Sequence, residues 1–537
     1  MYVVGVKSSK EYLYLLSIDD LPNEIFEKII THLNVEDRKV ASRVSNRWAQ
    51  FAFSRITLVD VLLEVNCSKL SPRDYWIVLK NSSRCYRNLV LKFSEDDEKY
   101  LLKILDKFQN SLEYVSIEQD ADARLLHTEI SSEYFVQFMN KLVNVKNLLI
   151  KTMLEIEDNV AGHVELPILP KLEAICFYTH GLEKDWIDWS IITPKIKSIG
   201  IPIADGQEGF PSIVTNFINQ ISHLCVDARF VERDQLNFCM ANFPHLTKFR
   251  LLFPISNPSA NKHIRYFIET CSNLTEICLF DNIICCDTLQ IIAKYCTQLK
   301  TVNLDANEVP PTTFTILSQL TRLSKLILHK MTVDSAMITM AGCFPSLYQL
   351  TFLSVRVNTP DAFFEKLHQK MPQLSNFELL DRFRFGINNL NQNGVVQAVC
   401  RNLTNLRRLA LVDWAILDVS IFDLLTLLGK LTELRLKCIG LNTNKLIPAC
   451  PTIKRLILDA DSLKPTDVIP PDNRHPLEHV MSIGFPNLKT LELRKSFLDR
   501  TRFSEQEVDT LHASMPNCTF YRKTRLKMAD NDYTALM

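Results

Sequence analysis

The stretch CSNLTEICLFDNIICCDTLQIIAKYCTQLKTVNLD, residues 271–305, contains the same pattern twice. In each copy, at Leu274 and at Leu299, a leucine is followed three residues later by an apolar residue and two residues after that by another leucine. The last two apolar positions are separated by a single residue, which is the spacing of side chains on one face of a β-strand. Each copy therefore predicts a short strand with one buried face.

The residues between the two copies have helical spacing instead. Asp287 and Thr288 are candidate N-caps for this segment. Its apolar residues lie at i, i+3, i+4 and i+7 and form one stripe: Leu289, Ile292, Ala293 and Cys296. A second helix is predicted after Thr359-Pro360-Asp361, with proline at the first helical position, and its apolar residues are Phe363, Phe364 and Leu367. The repeating unit is thus a strand followed by a helix.

The L-x-x-L-x-L pattern recurs along most of the chain. Typical spacings are 24 to 28 residues, which is the period of leucine-rich repeats. Since one unit cannot bury its own apolar face, neighbouring units must stack. We predict an α/β fold: a curved leucine-rich-repeat solenoid with a concave parallel sheet and outer helices. A first instance at Tyr86, Leu89 and Leu91 joins fifteen clear ones, which start at Leu112, Val145, Leu172, Ile196, Ile221, Leu246, Leu274, Leu299, Leu323, Leu347, Leu374, Leu406, Leu431, Ile453 and Leu488.

Cysteine recurs three residues before the first leucine of a repeat, which resembles the cysteine-containing class of leucine-rich repeats. Cys271, Cys296 and Cys450 occupy this position or its equivalent, and Phe-Pro or Met-Pro pairs such as Phe243-Pro244 occupy it elsewhere. Buried packing explains cysteines at one repeat position better than a metal or redox role. The adjacent Cys285 and Cys286 have no partner at metal-ligand spacing, so we predict no metal site and no cofactor.

Composition excludes several classes of protein. The 537 residues contain 61 Lys and Arg and 61 Asp and Glu, so global charge gives no reason to expect a nucleic acid partner, although local basic patches remain possible. Residues 1–17 lack the sustained apolar stretch of a signal peptide, and no run approaches the length of a membrane span. We therefore expect a cytoplasmic or nuclear protein, with no membrane span, whose 15 cysteines stay reduced.

Residues 18–52 lie outside the repeat and have a different pattern. Leu21-Pro22-Asn23-Glu24-Ile25 opens a helix with proline near its first turn, and its apolar face is Ile25, Phe26, Ile29, Ile30 and Leu33. Asn34 is a candidate cap for a second helix, and Trp48 and Phe51 continue the apolar series into a third. A cluster of this size is too small for a comfortable core, so it should pack against the solenoid or a partner.

The run LPNEIFEKIITHLNVEDRKVASRVSNRW, residues 21–48, resembles the F-box, a short three-helix domain. The resemblance implies docking on a Skp-family adaptor, which links the chain to a cullin and a RING subunit. Arg38 and Lys39 depart from the pattern, since leucine is usual there, which puts the second helix or its adaptor contacts in doubt. The positions that carry the match also include Ile30, Asp37 and Ser45, and those expected to contact the adaptor are Leu21, Pro22, Glu24, Ile25, Ile29, Leu33, Val44 and Trp48.

These patterns divide the chain into an N-terminal extension, 1–17, the F-box, 18–52, and a linker with the solenoid cap, 53–85. About 16 repeats follow at 86–523, and a tail occupies 524–537. No catalytic motif is present: the sequence has no G-x-S-x-G, phosphate loop or H-E-x-x-H. We therefore predict a non-catalytic substrate receptor of a ubiquitin ligase. The alternatives are a repeat scaffold or inhibitor without a link to ubiquitin transfer, and a receptor for a small ligand.

A protein substrate should bind on the concave face of the sheet. Residues that flank the inward leucines point to this face, and in the later repeats they combine apolar side chains with arginines. The longer spacing from Leu374 to Leu406 also predicts a loop at the edge, whose phenylalanines either pack into the adjacent repeat or project over the face. The candidate residues are Phe280, Leu353, Leu380, Ala410, Val412, Arg408, Arg435 and Arg455 on the face, and Arg382, Phe383, Arg384 and Phe385 in the loop.

Overall fold

The computed structural model forms two compact units that divide between Ile196 and Lys197. Each unit is described by itself. The structure describes residues 18–33, 35–54, 56–59, 61–67, 69–82, 84–93, 98–119, 128–130, 132–151, 154–156, 166–177, 189–202, 212–227, 243–252, 265–280, 284–306, 308–380, 392–415, 420–439, 449–459, 483–494, 510 and 513–523.

The first unit begins with a cluster of short helices. A 3-10 turn at Ile18–Asp20 precedes α1 (Asn23–Thr31), α2 (Val35–Ala41) and α3 (Asn46–Ala52). The hydroxyl of Ser45 caps α3 by accepting a hydrogen bond from the backbone N–H of Trp48 at 3.2 Å. The buried centre of the cluster consists of Phe26, Ile30, Ala41 and Ala52, with Ile18, Leu33, Trp48, Phe51 and Phe53 packed around it.

The rest of the first unit alternates strands with helices. Five of its described strands form a parallel sheet in the order β1, β2, β3, β5, β7, and β4 and β6 form a separate two-stranded ladder. The elements are β1 (Leu62–Asn66), α4 (Pro72–Leu79), β2 (Asn88–Phe93), α5 (Glu98–Phe108), β3 (Tyr114–Gln119), β4 (Thr128–Ile130), α6 (Ser132–Asn140), β5 (Asn147–Lys151), β6 (Leu154–Ile156), β7 (Ala174–Phe177) and α7 (Trp189–Ile192).

The second unit continues the alternation with thirteen described strands in one parallel sheet. The strands are β8 (Ser198–Pro202), β9 (His223–Asp227), β10 (Lys248–Leu252), β11 (Glu276–Phe280), β12 (Thr301–Asp305), β13 (Lys325–His329), β15 (Gln349–Leu353), β17 (Asn376–Leu380), β18 (Arg408–Ala415), β19 (Glu433–Ile439), β20 (Arg455–Asp459), β21 (Thr490–Arg494) and β22 (Thr519–Lys523). The helices are α8 (Ser212–Thr215), α9 (Cys286–Tyr295), α10 (Thr313–Leu317), α11 (Ser335–Thr339), α12 (Pro360–Lys370), α13 (Gln392–Asn402) and α14 (Ser420–Leu425). The short strands β14 (Thr332–Val333) and β16 (Arg356–Val357) pair with each other.

The predicted leucine-rich-repeat fold is confirmed. Every predicted instance of the pattern begins two residues before a strand, as Leu274 does before β11 and Leu299 before β12. The strands pair in register, so Ile277 lies beside Val302 and both side chains are fully buried. Six described strands lie outside the predicted set: β1 before the first repeat, β22 after the last, and the four strands of the short ladders β4/β6 and β14/β16. The curvature of the solenoid stays a prediction.

The helices agree with the sequence in position but not always in their first residue. The sequence predicts an N-cap at Asp287 or Thr288, whereas α9 begins at Cys286 with Cys285 as its N-cap, so this prediction was wrong. The thiol of Cys285 lies 3.1 Å from the hydroxyl of Thr288, which therefore bonds inside the first turn. For α12 the expectation is met, because Thr359 is the N-cap and Pro360 the first helical residue.

The segment that follows the helical cluster contacts, through Phe53 and Val59, the start of the first repeat and Arg84 just before it. The guanidinium of Arg84 lies 3.7 Å from the centre of the Phe53 ring, which is a cation–π contact. The side-chain amide of Asn88 in β2 donates a hydrogen bond to the carbonyl of Val59 at 2.7 Å. Because Phe53 also packs against the centre of the cluster, these contacts supply part of the support that so small a cluster needs.

Among the described residues of the second unit, three non-glycine residues adopt the left-handed backbone region, which such residues rarely occupy. They are Lys330 with φ 59°, Ser354 with φ 54° and Thr359 with φ 49°. Lys330 and Ser354 directly follow β13 and β15, where the chain leaves the main sheet for the short ladder of β14 and β16. Thr359 is the most strained of the three because it is β-branched.

Replacing Thr359 with glycine should therefore stabilise the second unit. Thr359→Gly removes the steric strain of a β-branched residue in this region, worth about 1 kcal/mol, and glycine is also an acceptable N-cap. We expect a higher urea midpoint of unfolding than in the unsubstituted protein. Thr332→Gly is the control, since Thr332 is an exposed residue in an ordinary strand and should lose stability. A fall in both variants would contradict the assignment of strain to Thr359.

Candidate functional site

The helical cluster exposes apolar side chains that its own core does not use. Ile25 and Ile29 lie one turn apart on α1, and the accessible fraction of Ile25 is 48 %. Val40 in α2 and Val44 just after it are 64 % and 62 % exposed, and Ile56 is exposed as well. Several large exposed apolar side chains within so short a segment indicate a protein-binding surface.

The eight residues that the sequence predicts as adaptor contacts fall into two groups. Ile25, Ile29 and Val44 are exposed, as are Pro22 and Glu24 at the start of α1, and Leu21 beside them is half-buried. Leu33 and Trp48 instead pack against the core of the cluster. The Trp48 ring meets the Phe26 ring edge to face, with 4.9 Å between centroids. Val40, missing from the predicted set, was identifiable from its spacing of one helical turn from Val44.

Arg38 stands where the F-box pattern usually has leucine, and the structure buries it. Its guanidinium donates hydrogen bonds to the carbonyl of Thr57 and, at 3.1 Å, to the carbonyl of Thr31 at the end of α1. The arginine thus joins the end of the first helix to the segment that follows the third. The departure from the pattern is accommodated inside the cluster, and it does not displace the second helix.

A second arginine holds the start of α1. The guanidinium of Arg47 donates to the carbonyl of Leu21 at 2.6 Å and to the side-chain oxygen of Asn23 at 3.0 Å. It also lies 5.0 Å from the centre of the Phe26 ring. Because hydrogen bonds from a charged donor are stronger than neutral ones, α3 fixes the position of the residues that precede the exposed face of α1.

Comparison with known proteins identifies this cluster. A family model described as the F-box domain matches residues 18–58. Residues 18–58 form an F-box domain. Among solved structures, the chain resembles an internalin (inlF) from Listeria monocytogenes str. 4b F2365, with 14 % identity and a TM-score of 0.32 over 74 % of this chain and 93 % of that one. No curated protein matches the chain.

The sheet of the second unit carries the other candidate surface. The strand residues that alternate with the inward leucines form rows, because the strands pair in register. Phe280 and Leu380 on this face are half-buried. Leu353 is 8 % exposed, Val412 is 5 % exposed and Ala410 is also buried, so the exposure that the sequence predicts for these three was wrong. Leu353, for example, lies between His329 and Leu380 of the adjacent strands, which cover it.

Phe280 is surrounded by charged and polar groups. The guanidinium of Arg250 lies 4.8 Å from the centre of the Phe280 ring, and the His329 ring meets it edge to face at 5.9 Å. Asp305, on the strand between Phe280 and His329, is close to the His329 ring, with 3.6 Å from its carboxylate to Nδ1. Lys330 Nζ lies 3.0 Å from the same carboxylate. An aromatic side chain among fixed charges on a sheet is suited to protein recognition.

Arg408, predicted as a substrate contact, belongs to a charge ladder across four strands. It lies 3.4 Å from the carboxylate of Glu433, which in turn lies 3.5 Å from Arg455. Arg455 reaches the buried carboxylate of Glu492 at 3.0 Å. Arg435, between these rows on β19, is half-buried. The strand arginines are thus largely neutralised by acidic residues on adjacent strands. Arg382, Phe383, Arg384 and Phe385 lie outside the described residues.

Metal-binding and nucleophilic groups among the described residues are relevant to catalysis. These residues contain no group of three or more His, Cys, Asp and Glu side chains arranged to hold a metal ion. Burial raises the pKa of the repeat cysteines, to about 12 for Cys296 and about 11 for Cys271 and Cys450. Such thiols are protonated at neutral pH and are poor nucleophiles. No helix in the described part of the chain has the length and apolar character to cross a membrane.

Thiol labelling tests this distribution. At pH 8, iodoacetamide should modify the exposed Cys85 and Cys343 of the folded protein first. Cys296 and Cys400 should stay unmodified, because burial raises both thiol pKa values to about 12 and the thiolate is the reacting form. Peptide mass spectrometry with and without urea measures the pattern. Rapid labelling of Cys296 in the folded protein would show that this thiol is accessible.

Proposed function

We propose that this protein is the substrate-recognition subunit of a Skp–cullin–F-box ubiquitin ligase. The F-box would dock on a Skp-family adaptor, which brings a cullin and a RING subunit, and the repeats would hold a protein substrate. F-box domains in general bind Skp-type adaptors, which supports the first half of the proposal. A subunit of this assembly works in the cytoplasm or the nucleus, where we place the protein.

The observation that carries the proposal is that the F-box has a buried core and, separate from it, a set of exposed apolar side chains. Phe26, Ile30 and their neighbours form a closed core, so the domain does not need Ile25, Ile29, Val40 or Val44 for its own folding. Exposed apolar side chains on a preformed helix are typical anchors of protein interfaces. Their presence supports an adaptor partner whose surface is apolar.

The proposed mechanism is proximity. F-box and leucine-rich-repeat domains are in general non-catalytic, and we propose that the chain performs no chemistry of its own. Holding a substrate lysine beside a charged ubiquitin carrier makes their encounter intramolecular, which gives an effective concentration on the order of millimolar for short flexible links. Ubiquitin transfer itself belongs to the other subunits.

We further propose that the substrate binds the sheet face of the repeats. Phe280 and Leu380 are partly accessible there, and Arg408 and Arg435 contribute charge, so these four are proposed contacts. Leu353 and Val412 would form the floor beneath them, since both are buried in the row. The loop residues Arg382, Phe383, Arg384 and Phe385 remain proposed contacts on the sequence argument alone.

Adaptor binding is tested with a pair of exposed residues. Ile25→Ala combined with Ile29→Ala removes apolar area from α1 without touching its core, and alanine favours the helix. We expect the affinity for a purified Skp-family adaptor, measured by titration calorimetry, to fall at least tenfold while the thermal unfolding midpoint is kept. The paired substitution Leu21→Ala with Pro22→Ala should have the same effect.

Two controls make the result specific. Met340→Ala with Leu427→Ala removes comparable exposed apolar side chains from the second unit and should leave adaptor affinity unchanged. Trp48→Ala should lower both stability and binding, because Trp48 supports Phe26. Wild-type adaptor affinity in the Ile25/Ile29 variant would show that this face of α1 is not the adaptor contact. No adaptor binding by the unsubstituted chain would favour a repeat scaffold unconnected with ubiquitin transfer.

A further inference from the structure

In the second unit, the charged residues in the turns that precede β9 to β22 are all basic. The five residues before each of the twelve main-sheet strands from β9 to β22 contain six Lys or Arg and no Asp or Glu. This bias occurs in a chain whose total charge is zero. Four of the six precede the adjacent strands β18, β19, β20 and β21, and all four are exposed. We call these four residues, Arg407, Lys430, Lys454 and Lys489, the basic rim.

The backbone places Arg407, Lys454 and Lys489 in line, each directly before its strand, whereas Lys430 lies two residues before the corresponding Thr432. The N–H of Thr432 donates to the carbonyl of Arg407 at 2.9 Å, the N–H of Lys454 to the carbonyl of Thr432 at 2.9 Å, and the N–H of Lys489 to the carbonyl of Lys454 at 2.8 Å. Each step is one strand spacing, roughly 4.8 Å. The rim therefore presents three of its cations along a line of roughly 14 Å from Arg407 to Lys489.

Carboxylates near the rim are already engaged. Glu433 and Glu492, on the strands that begin at the rim, pair with the strand arginines Arg408 and Arg455. Among the described residues, no carboxylate lies within ion-pair distance of any of the four rim cations, and Lys430 instead donates to the side-chain oxygen of Asn405 at 2.8 Å. The rim thus has a net positive charge that the described structure leaves available.

The first unit shows the opposite arrangement at the position directly before each strand, which Arg407, Lys454 and Lys489 occupy in the second unit. There Arg87, Glu113 and Lys146 alternate in sign on consecutive strands of the sheet, with Arg87 3.6 Å and Lys146 3.0 Å from the Glu113 carboxylate. One acidic residue at this position is therefore enough to pair with the basic residues of both neighbouring turns. The second unit has none at this position.

A groove adjoins the basic rim. It has a volume of about 660 Å³ and is lined by residues of the same turns, including Tyr348, Gln373, Asn405, Arg407 and Lys430. Tyr348 is 45 % exposed. Side-chain amides, a phenol and two cations are all able to donate hydrogen bonds. The groove therefore suits a ligand rich in acceptor oxygens.

We propose that the basic rim and its groove bind an acidic, extended segment of a partner protein. An extended chain advances about 3.3 Å per residue, so about five residues span the four cations, and an acidic side chain at every second residue stays within reach of the rim. Single exposed ion pairs contribute little, but four cations in adjacent turns act together and make the affinity strongly salt-dependent.

A peptide fits this surface better than a nucleic acid. Duplex DNA carries about one charge per 1.7 Å of its axis, and its binders usually neutralise about six to ten phosphates over a broad basic face. The basic rim offers three cations on one line and Lys430 beside it, with the carboxylates Glu433 and Glu378 on the adjoining strands. A narrow acidic chain can follow the line without meeting them.

The test uses the full-length chain and a defined probe. A fluorescein-labelled decapeptide of alternating glutamate and serine is titrated with the protein, and fluorescence anisotropy is followed at 50 and 300 mM salt. Substituting Arg407→Gln, Lys430→Gln, Lys454→Gln and Lys489→Gln together should weaken binding at least tenfold at low salt. The matched control, Lys294→Gln, Arg356→Gln, Lys366→Gln and Arg401→Gln, removes as many cations elsewhere in the unit and should change affinity less than twofold.

Three results would overturn the proposal. They are equal weakening in the rim and control variants, equal binding of a peptide with glutamine in place of glutamate, and stronger competition by single-stranded RNA or by anionic vesicles than by unlabelled acidic peptide. The rim variants are exposed substitutions, and unchanged circular dichroism shows that they fold. Because no adaptor is present, failure here leaves the F-box proposal untouched, and loss of adaptor binding leaves this one untouched.

Discussion

The structure depends on one constraint: a single repeat of about 25 residues cannot bury the apolar side of its own strand and helix. Each repeat completes the core of the next, and in-register pairing keeps Phe249, Ile277 and Val302 side by side in the interior. Larger rings join repeats in the same way, as when Phe352 packs edge to face on Phe377 at 5.4 Å. The register of strand pairing then fixes all the remaining positions as well. A residue type that recurs at one repeat position therefore forms a row across the sheet.

This constraint explains which parts of the fold are readable from sequence. Inward positions must be apolar in every repeat, so all the predicted strands are found where the leucine pattern puts them. Strand β22 was missed because Cys518 stands where the pattern has its first leucine, and the start of α9 was misplaced because a cysteine, not Asp287, is the N-cap. Helix starts depend on local competition between possible caps, which one sequence does not resolve.

The candidate surfaces were harder to predict than the fold. Alternation along a strand tells which face a side chain is on, but its exposure depends on neighbours in other repeats, and for this reason Leu353 and Val412 are buried. Arg38, which departs from the F-box pattern, is also buried, and backbone carbonyls accept hydrogen bonds from its guanidinium there. In the F-box, the sequence places Ile25 and Phe26 on one apolar face of α1, and the structure divides that face between the buried Phe26 and the exposed Ile25.

Charged residues also form rows, because equivalent positions of successive repeats lie side by side. The net charge of the whole chain is zero. In a solenoid, however, equivalent repeat positions form separate rows, and each row has its own net charge. On the strands, acidic and basic residues alternate across the sheet and cancel, as Arg408, Glu433 and Arg455 do. At the turns of the second unit they do not cancel. The two proposed interfaces therefore differ in kind, because an apolar contact through α1 is weakly sensitive to salt, whereas any contact through the rim must weaken as ions screen it. Binding measured at low and high ionic strength therefore distinguishes a partner bound by the F-box from a partner bound by the repeats.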